Sequence, residues 1–129
     1  MVILVVEDLA AMRLSYERLF TTAGYTMIWA STALGACELL RTERVDLVIL
    51  DYELDGTLTG LEVARYIRRL NKKDGQRREV IIVSGFPLEE IQHRARLESI
   101  NALEGVSFYF PKPLPVGAEV LMGVLKKWI

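Results

Sequence analysis

Four short polar groups in this chain each stand at the end of an apolar run, the last of them one residue on: Glu7-Asp8, Asp51, Ser84-Gly85 and Lys112-Pro113. Brought together, their carboxylates, hydroxyl and ammonium could perform phosphoryl chemistry. Close carboxylates repel, so they either raise a pKa or hold a hard cation. Oxygen-only ligands suit Mg²⁺, which readily bridges carboxylates to phosphoryl oxygens. A carboxylate can also be the nucleophile, forming an aspartyl phosphate, once the negative charge on the incoming group is neutralised. Mg²⁺ on one side, Lys112 on another and the Ser84 hydroxyl as a donor would neutralise it. Taken singly, the groups have plainer readings. Glu7 and Asp8 suit the positive end of a helix, Asp51 suits a helix cap, and Ser84 and Lys112 carry little information. Only the conjunction is specific.

The elements that must position these groups can be read from two alternating periodicities. Short apolar runs at Val2–Val6, Tyr25–Ala30, Val45–Leu50, Val80–Val83 and Val106–Phe110 predict strands, most of them covered on both faces. Between them lie segments of helical period. Met12, Tyr16, Leu19 and Ala23 form one stripe, with Gly24 as its C-terminal cap. Ser31 is the candidate N-cap of a second helix, through about Leu40, whose inner stripe is Leu34, Cys37 and Leu40 or Leu39. Val63, Ile67 and Leu70 mark a third helix, ending near Asn71, and Leu88 to Ile100 a fourth with a thin stripe of Ile91, Ala95 and Leu97. A fifth starts at Pro115, a residue suited to the first turn, and carries Val120, Val124 and Trp128 on one face. Strands alternating with helices imply right-handed crossovers and a parallel sheet with helices on both faces. Such sheets place their chemistry at the carboxyl ends of the strands, where all four polar groups stand.

Composition narrows the class. At 129 residues, 51% of them apolar, the chain is expected to form one domain over 1–129 with a single sizeable core. Sixteen Lys and Arg against seventeen Asp and Glu give a net charge of −1, with no global pull toward nucleic acid or an anionic membrane. A single cysteine, Cys37, excludes an intrachain disulfide and fits a reducing compartment. The apolar start stops at Glu7-Asp8, too soon for a signal peptide, and no run approaches a membrane span. A cytoplasmic protein is expected.

With its polar groups in this order and near these spacings, the chain resembles a receiver domain of the response-regulator family. The resemblance rests on Ile3-Leu4-Val5-Val6-Glu7-Asp8, Leu50-Asp51, Ser84-Gly85 and Lys112-Pro113, and covers essentially the whole chain. It implies a flavodoxin-like (βα)5 doubly wound parallel sheet of strand order 2-1-3-4-5. It implies that Asp51 is the phosphoacceptor in two-component phosphorelay signalling, with a histidine kinase or phosphotransfer protein as donor. Asp8, Asp51 and the backbone carbonyl of Glu53 would bind Mg²⁺, and Glu7 would reach it through water. Lys112 would pair with the phosphoryl group. Ser84 would move toward that group and draw Tyr109 inward as a switch. Lys112–Pro113 resembles the family's cis peptide. The face of the fourth helix, fifth strand and fifth helix would present the change to a downstream protein. The chain would be a switch and not an enzyme, at most promoting its own phosphorylation and dephosphorylation.

Several residues depart from the family pattern. Glu7 stands where many members have Asp. Asp55 stands where a proline is common, and Gly60 arrives one residue late in Asp55-Gly56-Thr57-Leu58-Thr59-Gly60. Glu53 places a side chain beside the site, where it could tune phosphoryl lifetime in either direction. Pro111 lacks a backbone donor and is expected to shorten the fifth strand.

Two other classes compete with the switch. One is a receiver-like binding module that signals without phosphorylation, its Asp55–Gly60 loop blocking the donor. The other is a Mg²⁺-dependent phosphohydrolase with Glu53 as general acid two residues after the nucleophile. A flavin site would want a hydroxyl- and glycine-rich loop after the first strand, and Asp8-Leu9-Ala10-Ala11-Met12 has none. His93 reads as a solvated helix residue, Cys37 as core, and Trp29 and Trp128 as structural. The basic residues Arg65, Arg68, Arg69, Lys72, Lys73, Arg77 and Arg78 read as a solvated face diluted by Glu62, Asp74 and Glu79, with no direct nucleic-acid binding expected.

Overall fold

The computed structural model describes residues 1–54 and 60–98 and, as backbone, the strand at 106–111; the side chains of 95, 97 and 98 are not among those described. Among the described residues, five strands and four helices alternate: β1 (Val2–Val6), α1 (Ala10–Thr22), β2 (Thr26–Ala30), α2 (Ala33–Thr42), β3 (Leu47–Asp51), α3 (Gly60–Asp74), β4 (Glu79–Ser84), α4 (Leu88–Glu98) and β5 (Val106–Pro111). The strands form one sheet in the order β2-β1-β3-β4-β5, as the resemblance implied. Every pairing is parallel. The expected fifth helix lies outside the described residues.

Side-chain alternation divides the sheet into two apolar faces. Ile3, Val5, Leu47, Ile49, Ile81 and Val83 pack with Tyr16 and Phe20 of α1. Their neighbours Leu4, Val6, Val48, Leu50, Val80 and Ile82 pack on the other face with α2, α3 and Ile91 of α4. All twelve of these strand residues are buried. That is why the runs read as continuous apolar segments and not as an in–out pattern.

Several local expectations needed correction. Thr32, not Ser31, caps α2: its side-chain oxygen accepts the Gly35 N–H at 3.0 Å. The buried stripe of α2 is then Ala33, Ala36 and Leu40, while Leu34 is 63% exposed. Small alanines let α2 lie close to the sheet, and apolarity alone gave Leu34 the wrong face. In α1 the buried residues are Tyr16 and Phe20, whereas Ala23 is exposed. Gly24 has φ +86°, the left-handed conformation that ends the helix. The third helix runs three residues beyond Asn71, to Asp74. Pro111 does not shorten β5, since it lies opposite Ser84 in the ladder.

The basic segment also differs from a purely solvated face. Arg78 is buried, with its guanidinium bonded to Asn71 Oδ1 at 2.9 Å and to Asp74 at 3.2 and 2.7 Å. It ties the end of α3 to the start of β4.

Candidate functional site

The parallel register carries the acids to one place. Val6 lies opposite Leu50, and Asp51 lies opposite Val83. Glu7 follows β1 and Asp51 ends β3, so adjacent strands deliver both at the same sheet edge. Glu7 and Asp51 are buried at 1% and 2% exposure. Asp8 is partly exposed. One carboxylate oxygen from each of Glu7, Asp8 and Asp51 lies within 4.8 Å of the others. Burying like charges together is unfavourable unless a counter-charge joins them. A set made only of carboxylate oxygens, open on the Asp8 side, fits a hard cation of the Mg²⁺ type.

Local hydrogen bonds pre-orient the cluster. Glu7 Oε1 accepts the Leu9 N–H at 3.2 Å, just before α1. Asp51 Oδ1 accepts the Glu53 N–H at 3.1 Å, turning the chain immediately after β3. Asp51 is the last residue of β3, a strand position. Tyr16, packed in the α1-side core with Val5 and Ile49, has its phenol pushed well above its ordinary pKa, first by burial and then by the charges of Glu7 and Asp51.

Gly60 packs against the backbone that carries Asp51. A Cβ on this residue would lie 2.5 Å from the Asp51 carbonyl oxygen and 2.9 Å from Tyr52 Cα. Its N–H donates to the Tyr52 carbonyl at 3.3 Å. The glycine that comes late in the sequence therefore still packs on the Asp51 backbone. Residues 55–59 of that loop lie outside the described residues.

Ser84, fully buried at the end of β4, donates its hydroxyl to Glu53 Oε1 at 2.6 Å. The Gly85 N–H donates to the same oxygen at 3.0 Å, and Ser84 Oγ accepts the Phe86 N–H at 2.9 Å. Phe86 meets the Tyr52 ring edge-on, with centroids 6.0 Å apart, and carries the Arg94 guanidinium 4.1 Å above its face. Sequence reasoning had placed Glu53 beside the site but had not found its carboxylate on Ser84 and Gly85. Tyr16 is legible in the sequence only as part of the first helix's apolar stripe, and nothing there singles out Phe86 or Arg94. A +2 acid after Asp51 was the one available signal, because the others are ordinary core or surface types.

Of the remaining expected residues, Tyr109 stands in β5 opposite Ile82, and its side chain is not described. Lys112 and Pro113, with their expected cis peptide, lie outside the described residues, as does Trp128. His93 is exposed, as expected. Cys37 is half-buried, and burial pushes its thiol up against a smaller opposing pull from Arg69. Trp29 is partly buried, with Arg13 5.8 Å from its ring centre.

The family model for the response regulator receiver domain matches residues 3–114. The chain belongs to the response regulator receiver family. Its sheet order and acid cluster are those of a receiver, and its function is two-component phosphorelay signalling, in which receivers work with histidine kinases or phosphotransfer proteins. Among curated proteins it is similar to sporulation initiation phosphotransferase F of Bacillus subtilis, 28% identical over 127 residues, covering 98% of this chain and 92% of that protein. It is also similar to the polar-differentiation response regulator DivK of Brucella anthropi, 29% identical over 116 residues, 88% of this chain and 85% of that one. Among solved structures, the response regulator TrrA of Thermotoga maritima, in complex with Mg²⁺-BeF, superposes with a TM-score of 0.75 at 25% identity, covering 99% and 98% of the two chains. The receiver domain of a sensor histidine kinase from Pseudomonas aeruginosa has the same fold, with a TM-score of 0.78 at 24% identity and 98% and 95% coverage. Among the described residues, no helix of this receiver is long and apolar enough to cross a membrane.

Proposed function

We propose that this receiver is a phosphorylation-dependent switch whose phosphoacceptor is Asp51. The observation that carries the reading is the meeting of Glu7, Asp8 and Asp51 within 4.8 Å at the carboxyl edge of the sheet. Asp8, Asp51 and the Glu53 backbone carbonyl would hold Mg²⁺, with Glu7 bonded to a metal-bound water. When bound, Mg²⁺ supplies positive charge that neutralises the acids and the incoming phosphoryl oxygens. An Asp51 carboxylate oxygen forms a bond to phosphorus while the phosphorus–nitrogen bond of a phosphohistidine donor breaks, and the departing imidazole takes up a proton. The remaining donors for the phosphoryl oxygens are Ser84 and Lys112. Ser84 and Tyr109 then form the switch that biases two conformations of the α4–β5 face and the segment after it, where a downstream protein docks. The donor is a histidine kinase or phosphotransfer protein, the chain acts in the cytoplasm as one domain, and it binds no nucleic acid directly. It is a switch and not a turnover enzyme. Against the hydrolase reading stands Glu53 itself, whose carboxylate is held by Ser84 and Gly85 and so is not poised to act as a general acid.

The test is incubation with Mg²⁺ and acetyl phosphate, followed by intact-mass measurement. A labile gain of one phosphoryl group is expected, absent in Asp51→Asn and absent after chelation. Steady consumption of donor without an adduct would point to a hydrolase. No reaction under any condition would point to the phosphorylation-independent module.

A further inference from the structure

We propose that Glu53 is a built-in competitor for the phosphoryl-binding donors of this receiver, and so sets how readily Asp51 accepts and keeps a phosphoryl group. The inference rests on Asp51 being the phosphoacceptor and goes beyond it.

The argument begins with donor supply. A serine hydroxyl has one proton to give, and a backbone amide has one. Here both the Ser84 hydroxyl and the Gly85 N–H are spent on a single oxygen, Glu53 Oε1, at 2.6 and 3.0 Å. The Ser84 oxygen also accepts from Phe86 N–H at 2.9 Å, so its proton has no reason to turn that way. These two donors stand at the end of β4, next to β3, which ends in Asp51. Asp51 pairs with Val83, the residue before Ser84, so both donors stand at the same strand ends as Asp51, toward the oxygens of a group it would carry. A carboxylate and a phosphoryl group are both oxyanions, and they require the same donors with the same sign of charge. Glu53 and a phosphoryl group therefore exclude each other from Ser84 and Gly85.

Position and flexibility make the exchange feasible. Glu53 is two residues from Asp51, tethered by its own N–H to Asp51 Oδ1, yet its side chain is only half-buried and has solvent to move into. Its release would reach beyond the site. Ser84 Oγ holds the Phe86 amide, and the Phe86 ring carries Arg94 of α4 at 4.1 Å. Displacing Glu53 re-aims the Ser84 hydroxyl and loosens the loop that anchors this cation–π contact. In the resting receiver, the docked carboxylate keeps that loop in place.

The test uses beryllofluoride as a phosphoryl analogue in saturating Mg²⁺, with binding followed by fluorine NMR on the wild type, Glu53→Ala, Glu53→Asp and Ser84→Ala. Hydrogen bonds to charged groups are strong enough that removing this competitor should tighten beryllofluoride binding about tenfold. Glu53→Asp keeps the charge on a shorter arm, so it should gain nearly as much as Glu53→Ala. In a Ser84→Ala background, Glu53→Ala should gain several-fold less. Mg²⁺ affinity without fluoride, measured in parallel, should move far less than the beryllofluoride affinity. If Glu53→Asp matches the wild type while Glu53→Ala gains, bulk charge alone is responsible and the docking proposal falls. If wild type acquires a phosphoryl group on Asp51 from acetyl phosphate and neither Glu53 variant changes, the proposal falls while the phosphoacceptor reading stands. If neither wild type nor Glu53→Ala takes phosphoryl or beryllofluoride, both fall.

Discussion

Replacing Asp51 with Asn should stabilise the metal-free protein. Two carboxylates at the 4.8 Å limit of the acid cluster repel by about 3.5 kcal/mol at an effective dielectric constant near 20. Asp51 faces two such partners, of which Glu7 is buried at 1% exposure and Asp8 is partly open to solvent. Screening at Asp8, and any cation drawn to the cluster, reduce the sum. Asn keeps the shape and still offers an oxygen to the Glu53 N–H, which Asp51 Oδ1 now accepts at 3.1 Å. The expected net gain is about 1–3 kcal/mol, or roughly 3–10 °C in unfolding midpoint for a domain of this size. The assay is thermal unfolding by circular dichroism at low ionic strength in EDTA, repeated in Mg²⁺. A ligand at about a hundred times its Kd contributes about 2.7 kcal/mol, so Mg²⁺ should raise the wild-type midpoint clearly and that of Asp51→Asn much less. Equal midpoints in EDTA, or an equal rise with Mg²⁺, would refute the idea that this cluster stores repulsion relieved by a cation.

Other perturbations follow from the same geometry. Gly60→Ala forces a Cβ to 2.5 Å from the Asp51 carbonyl, so it should cost about 1–3 kcal/mol in chemical denaturation and slow phosphorylation of Asp51 by shifting its backbone. Thr32→Ala removes the acceptor for the Gly35 N–H and should cost about 1 kcal/mol, whereas Ser31→Ala should be nearly neutral. Tyr16 is held neutral by burial and by Glu7 and Asp51, so the stability linked to it is fully present below its unfolded pKa of about 10 and is lost as pH rises above that value. Unfolding midpoints between pH 9 and 11 should fall more steeply in the wild type than in Tyr16→Phe.

The sheet was legible because its central strands β1, β3 and β4 are buried on both faces, which leaves unbroken runs such as Leu4–Val6 and Val80–Val83. Helix faces were harder to read. In α2, Leu34 is exposed while Ala33 and Ala36 are buried, since close approach to the sheet selects size as well as apolarity. Arg78 was read as solvated because its partners depend on how α3 ends: Asn71 and Asp74 meet it only once that helix reaches Asp74. Gly60 came one residue late by count, yet its place is governed by contact with Asp51, which spacing alone does not measure.

Residue type and order were enough to establish the parallel α/β plan and the meeting of Glu7, Asp8 and Asp51. In a parallel sheet, every strand delivers its final residue to the same edge. The destination of the Ser84 proton was a different kind of question. Glu53 lies thirty-one residues from Ser84 and is a common surface type, so its bond to Ser84 arises only when β3 and β4 lie side by side. A hydroxyl proton goes to whichever acceptor packing brings within reach, and that choice belongs to the tertiary structure alone.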